Sequence, residues 1–282
     1  MSVYIPKLTN IAELYCKTHD YTNFVFVGNG AFKETYKISV NGDIKALKLF
    51  NPDNQNPIRT AREINAIKKC DYTGIAKLYS HGIIDDKLKN KYCYIVEEYF
   101  DGGTLTDRMS SLLNNVPRIN QYTKAFIFAL KYLRMVNLVH RDIKPDNVMF
   151  LSNSEAPVLV DFGIVRDLSL VSATAGWIPR GPGTPFYSSP EQLNNDKHLI
   201  SWRTDQFSIG IVVSMCLLGF HPYFEPGLND LDVVENVADR KGYTNYFKEK
   251  TEKLNVGWIQ RMVEGWPNRR FQDPDDILEM LM

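Results

Sequence analysis

The 282-residue chain carries 33 Lys and Arg against 33 Asp and Glu, so no global basic field argues for nucleic acid or an anionic membrane as a partner. That length supports a large core and two lobes. Cys16, Cys70, Cys93 and Cys216 are far apart, with no C-x-x-C pair and no His at ligand spacing, which reads as reduced, non-metallic thiols and a cytoplasmic location. The opening M-S-V-Y-I-P-K-L-T-N lacks the basic-then-apolar pattern of a secretory signal. The longest apolar run, Phe207 to Phe220, contains two Ser and two Gly and is too short to span a bilayer, so a buried helix is expected there.

In chain order, Asn10 followed by Glu13 predicts a capping box that opens a short helix through Ile11, Leu14 and Tyr15. Strands are predicted at Asn23 to Val27, Thr35 to Val40 and Ile44 to Phe50, with Asn41-Gly42 as a hairpin turn between the last two. Pro57 suits the first turn of a helix, and Ile58, Ala61, Ile64 and Ile67 give it an apolar stripe. Two further strands are expected at Ile75 to Ser80 and Tyr92 to Tyr99. Asp101-Gly102-Gly103 then breaks the pattern, and beyond it the chain reads as mostly helical, apart from an irregular stretch from Ala173 to Pro190.

Chemistry concentrates in a few stretches. Gly28-x-Gly30 lies between two predicted strands and would let backbone N–H groups approach a phosphate. Lys48 closes Ala46-Leu47-Lys48 on a half-buried strand and needs an anionic partner, and Glu63 lies on the following helix. His140 to Asn147, H-R-D-I-K-P-D-N, is too polar to be core and is flanked by the apolar runs Ala125 to Leu133 and Val148 to Leu151. It is therefore placed on a loop between a helix and a short strand, where catalytic side chains tend to sit. Asp161-Phe162-Gly163 follows another apolar run, Pro157 to Val160, and begins nineteen residues after Asp142.

In this order, with Ser189-Pro190-Glu191 as a version of A-P-E, these residues resemble the eukaryotic-type protein kinase family over essentially the whole chain. The resemblance implies an α+β, bilobal fold: an N-terminal antiparallel sheet plus one helix over residues 1–98, a hinge at 99–104 and a mainly helical lobe over 105–282, with ATP in the cleft. It implies that Gly28, Gly30, Ala46, Lys48, Glu63, Glu98, Phe100 and Met149 serve the nucleotide, with Lys48 on the α- and β-phosphates and paired to Glu63. Asp142 would accept or orient the substrate hydroxyl proton, Lys144 would stand near the transferring phosphoryl, and Asn147 and Asp161 would hold Mg²⁺. His140 becomes a packed residue behind Phe162. Lys144 and Gly183-Thr184-Pro185-Phe186-Tyr187 resemble the serine/threonine branch, in which the Thr184 hydroxyl bonds to the catalytic Asp and Lys, so the expected partner is a protein with a Ser or Thr acceptor. Glu191 is expected to pair with Arg270, and Asp205 to brace the H-R-D backbone.

The departures are as informative as the matches. Lys33 stands at the third glycine of the nucleotide loop, Thr35 replaces a valine, and Glu97 falls at the gatekeeper position next to the hinge residues Glu98 to Phe100. Altered ATP affinity is expected from Lys33, and a carboxylate at the back of an apolar pocket is costly unless paired or protonated. Arg141, with Ser169, Ser172 and Thr174 available as acceptors, raises regulation by phosphorylation or by a partner. Two rivals stay open: a binding module that keeps the fold without the chemistry, and a kinase of small molecules.

Overall fold

The hairpin at Asn41-Gly42 sets the register of the first half of the molecule. In the computed structural model, which describes residues 5–30, 32–52, 57–162, 165–168 and 184–282, both turn residues have positive φ (52° and 88°), as a tight two-residue turn demands. From it β2 (Lys33–Val40) and β3 (Asp43–Phe50) zip together from Val40↔Asp43 out to Lys33↔Phe50. With β1 (Thr22–Asn29), β4 (Leu78–Asp85) and β5 (Lys91–Glu98) they make a five-stranded antiparallel sheet in the order β1-β2-β3-β5-β4.

Burial alternates along β2, so Glu34, Tyr36, Ile38 and Val40 share one face. That face packs with Leu47, Leu49 and Val96 under helix α1 (Thr9–Thr18), which buries Ile11, Ala12, Tyr15 and Cys16 against it. The helix start departs from the sequence reading. Asn10 and Glu13 form no capping box: Glu13 instead pairs with Lys17 one turn on. The N–H groups of Lys7 and Leu8, just ahead of the helix, donate to the buried Glu34 carboxylate at 2.8 and 3.0 Å.

Two other boundaries move. β4 begins at Leu78 and runs to Asp85, past Gly82, because that glycine leaves room for the Tyr94 ring, whose hydroxyl would lie 2.8 Å from an added Cβ. Helix α2 (Pro57–Ile67) buries Thr60, Glu63, Ala66 and Ile67 and exposes Ala61, so its inward face carries a carboxylate and is not the stripe of apolar residues at steps of three. The side chain of Ile58 lies outside the described set.

The chain divides into two compact units, 1–101 and 102–282. The second is built on α4 (Val116–Met135) packed against α6 (Trp202–Leu218). Nearly every α6 side chain is buried, as the apolar run predicts, and Ser201 and Thr204 cap its N-terminus reciprocally. Around this pair lie α3 (Leu105–Leu112), α5 (Pro190–Leu193), α7 (Asp230–Ala238), α8 (Asn245–Lys253), α9 (Trp258–Met262) and α10 (Pro274–Met280). Four short strands, β6 (Leu138–Val139), β7 (Val148–Met149), β8 (Val158–Leu159) and β9 (Arg166–Asp167), pair β6 with β9 and β7 with β8. The loop between β6 and β7 is His140 to Asn147, closed by a 3₁₀ turn at Pro145–Asn147. Among the described residues no helix is long and apolar enough to cross a membrane. All four cysteines are free, and burial pushes the Cys70 and Cys216 thiols up to about 12.

Candidate active site

In the first unit the sheet face opposite α1 gathers charge. Cross-strand pairing sets Thr35 against Lys48, Lys37 against Ala46 and Ala46 against Glu97, so Lys33, Lys48 and Glu97 project from one side. Lys48 is in contact with Glu97 at 2.5 Å, with 12% of the lysine side chain and 3% of the carboxylate side chain exposed. Glu63, reaching the same side from α2, is paired with Lys33. The expected Lys48–Glu63 pair is thus replaced by two others. The physical reason is Glu97: a carboxylate this deeply buried needs a cation, and the lysine diagonal to it on the next strand is the nearest supply.

Gly28 lies at a register shift between β1 and β2, and Gly30 closes the turn by donating to the Lys33 carbonyl at 2.8 Å. A Cβ added at either glycine would meet nothing within 4 Å, and neither has positive φ. Neither packing nor a positive φ therefore calls for glycine there, and the turn leaves its backbone open to solvent. Farther along the chain, Ala46 and Phe100 are buried, and the Glu98 N–H donates to the Lys77 carbonyl at 2.9 Å.

The second unit orders the H-R-D loop from beneath. Asp205, on the first turn of α6 and fully buried, accepts from the backbone N–H of His140 at 2.7 Å and of Arg141 at 2.8 Å. Burial pushes its carboxyl above the usual range, against the pull of those donors and of nearby positive charge. Arg141 sits in left-handed backbone at φ 71°, and the Gln192 amide holds its carbonyl at 2.7 Å.

Both nitrogens of His140 are engaged. Nδ1 accepts from the Asp142 N–H at 3.3 Å, so the hydrogen-bond network places the proton on Nε2, which faces the Val160 carbonyl at 3.1 Å. Its ring packs 4.7 Å from that of Phe162. This residue is a packed brace and has no nitrogen to spare for acid–base work.

Asp142 is surrounded by donors. Thr184 approaches Oδ1 with its hydroxyl at 3.0 Å and its N–H at 3.2 Å, Lys144 lies 3.3 Å from Oδ2, and the Asn147 amide nitrogen is 3.0 Å from Oδ2 and 2.8 Å from the Asp142 carbonyl. Lys144 and Thr184 are themselves joined at 2.8 Å. Because the Asn147 nitrogen is spent on Asp142, its amide oxygen is the branch directed elsewhere. Asp161 begins the D-F-G at φ 65°. A carboxylate and an amide oxygen are the hard donors that suit a divalent cation shared with phosphate oxygens, and among the described residues no fuller cluster of His, Cys, Asp or Glu competes for one.

Compared with known proteins, residues 21–272 match the protein kinase domain family. The chain belongs to the protein kinase family. The kinase domain is 28% identical over 266 residues to a probable serine/threonine-protein kinase of Dictyostelium discoideum, covering 90% of this chain and 34% of that protein. It is 28% identical over 222 residues to a probable myosin light chain kinase of the same organism, covering 75% of this chain and 67% of that one. It is 32% identical over 187 residues to a serine/threonine-protein kinase stk11 homolog, also from Dictyostelium discoideum, covering 64% of this chain and 30% of the relative. The chain thus spans about a third of two of these relatives and two thirds of the other.

The kinase family acts on proteins with ATP and a divalent metal, and the bilobal fold expected from the sequence is the one the family has. Within the kinase domain Met149 is half-buried on β7, opposite Val158 and bridged to Thr104. Glu191 and Arg270 form a fully buried pair at 2.7 and 2.9 Å, and the guanidinium's remaining donors go to the carbonyls of Arg203, Glu264 and Gly265. Gly163, Gly183, Ser169, Ser172 and Thr174 lie outside the described residues. Two charged partners escaped the sequence reading, Lys33 for Glu63 and Glu97 for Lys48. The Asn41-Gly42 register puts Lys33, Thr35 and Lys48 on one face but does not choose among the possible pairings.

Proposed function

We propose that this kinase domain transfers the γ-phosphoryl group of ATP to a Ser or Thr hydroxyl of a protein. The observation that carries the reading is the closed constellation of Asp142, Lys144, Thr184 and Asn147. Asp142 would take or align the acceptor's proton, and Lys144 would offset charge on the transferring group. Thr184, bonded to both, holds their mutual geometry, which is most of what phosphoryl transfer asks of a protein. Asn147 and Asp161 would hold Mg²⁺, which when bound neutralises phosphate charge. On the other unit, Gly28 and Gly30 admit the phosphates and a lysine of the charged sheet face meets them, while Ala46, Glu98, Phe100 and, on β7, Met149 serve the base. The four free cysteines fit a reducing compartment such as the cytoplasm.

The test is γ-labelled ATP with Mg²⁺ and a generic basic protein, comparing the chain with Asp142→Asn. Transfer should fall by about a thousand-fold or more, in line with the loss of a general base together with its positioning. Equal label in both samples overturns the proposal. Phosphoamino-acid analysis of the product should give phosphoserine or phosphothreonine, and phosphotyrosine would remove the serine/threonine assignment.

A further inference from the structure

We propose that a cavity in the second unit binds a small organic anion with a flat apolar body, an aryl phosphate or aryl carboxylate, its charge on Arg203 and its ring against Trp266. The cavity, about 350 Å³, lies between the segment that leads into α6, which supplies His198, Leu199 and Arg203, and the turn after α9, which supplies Trp266, Pro267 and Asn268. None of these is assigned to phosphoryl transfer. A cavity of that size falls at the lower end of the range for small-molecule sites.

Arg203 sets the sign of the ligand. Its guanidinium bonds only to neutral acceptors, the Gln272 Oε1 and the Ser201 Oγ, the latter at 3.5 Å. Glu191 is closed onto Arg270, and Asp273 onto Arg134. Burial holds the Arg203 pKa below the ordinary arginine value, Arg270 and Arg134 add to that, and Glu191 alone opposes it. An arginine does not shed its proton to escape such surroundings, so the charge stands without a carboxylate of its own. Among the described residues no acid lines the cavity, while His198 and Asn268 add hydrogen-bonding groups.

Trp266 sets the shape. It is 45% exposed, and its ring is braced by the Arg240 guanidinium at 4.3 Å, which is itself ion-paired with Asp196. Leu199 and Pro267 extend the apolar wall beside it. A ring with one anionic group uses both halves of the site: inorganic phosphate would use only the arginine, and a neutral ring only the indole wall.

The experiment titrates the full chain with phenyl phosphate and follows the Trp266 indole N–H in ¹H–¹⁵N spectra, where it is identified by its loss in Trp266→Leu. The signal should shift saturably with a Kd of about 1 mM or tighter. Phenyl phosphate should bind the wild-type chain about ten-fold more tightly than either inorganic phosphate or phenol does, a comparison that needs no variant. Arg203→Met should weaken binding about ten-fold or more with an undiminished urea midpoint, because it removes a charge crowded by two other arginines. A saturating non-hydrolysable ATP analogue should change the affinity by less than about two-fold. The proposal is overturned by an unmoved Trp266 signal up to about 20 mM ligand, or by equal affinities for phenyl phosphate and either fragment. Wild-type binding by Arg203→Met also overturns it, and competition with the ATP analogue would put the anion in the nucleotide cleft instead. A phosphotyrosine peptide that binds more tightly than phenyl phosphate would replace the small molecule by a protein segment. Each of these outcomes leaves the kinase reading intact.

Discussion

Asp205 shows how a single side chain governs the reactive loop without touching substrate. Its two oxygens take the N–H groups of His140 and Arg141, the residues just ahead of Asp142, and the second of these sits in left-handed backbone. Asp205→Asn keeps the shape but offers one acceptor and turns an NH₂ toward the other donor, so it should cost about 1–3 kcal/mol. Because the strained turn at Arg141 relaxes, kcat should fall more than KM for ATP rises; a variant with lowered stability and unchanged kcat would show that the loop does not depend on this brace. At this scale much was legible in the sequence. The contacts of Thr184 with Asp142 and Lys144, and of Asp205 with the H-R-D backbone, are those the family resemblance implies. The ion pairs of Lys33 and Lys48 did not follow, because four charged side chains on one side of a sheet admit more than one pairing, and burial of Glu97 decides which forms.

Among the elements, α1 draws its N-terminal hydrogen bonds from outside itself. Its N-cap residue, Leu8, has no side-chain acceptor, and the neighbouring N–H groups are satisfied by Glu34 on β2, which also accepts from the Tyr36 hydroxyl at 2.6 Å. Glu34→Ala leaves three donors without their acceptor and should destabilise by about 1–3 kcal/mol. The loss should be local, with faster amide exchange across Ile11 to Cys16; unchanged exchange there would mean that the apolar packing alone holds the helix. Elements were read from sequence where a turn or period was strong, as in the Asn41-Gly42 hairpin and the Phe207 to Phe220 run. They were misplaced where a tertiary partner moved the boundary, as Tyr94 does at Gly82 and Glu34 does at α1.

At the scale of the whole molecule, a buried ion pair and a buried imidazole set how the larger unit responds to mutation and to acid. Glu191 and Arg270, 79 residues apart and fully enclosed, satisfy one another so completely that removing one partner is worse than removing both. Arg270→Met should cost about 3–5 kcal/mol, and adding Glu191→Met should restore part of that in a denaturant titration. His221 is buried against the Phe186 ring, with Nδ1 accepting the Tyr223 N–H. Burial, opposed by a backbone contact at Phe186, pulls its pKa down from 6.5 to about 3. The unfolded chain therefore takes up a proton that the folded one refuses. Stability that is intact above the unfolded value of 6.5 is lost as pH falls toward about 3, roughly 2 kcal/mol of it by pH 5. His221→Gln should make the urea midpoint less sensitive between pH 7 and 5; identical slopes in the two proteins would rule the imidazole out. A last consequence follows from the alternation of β2, where Glu34 and Lys33 are successive residues turned to opposite sides of one stiff ribbon. By anchoring α1 outside, Glu34 sets the roll of the strand about its own axis at the point where Lys33 leaves it inside. The outer helix is in this sense ballast for the inner lysine, and whatever pries α1 loose acts on the Lys33–Glu63 pair through the thickness of the sheet.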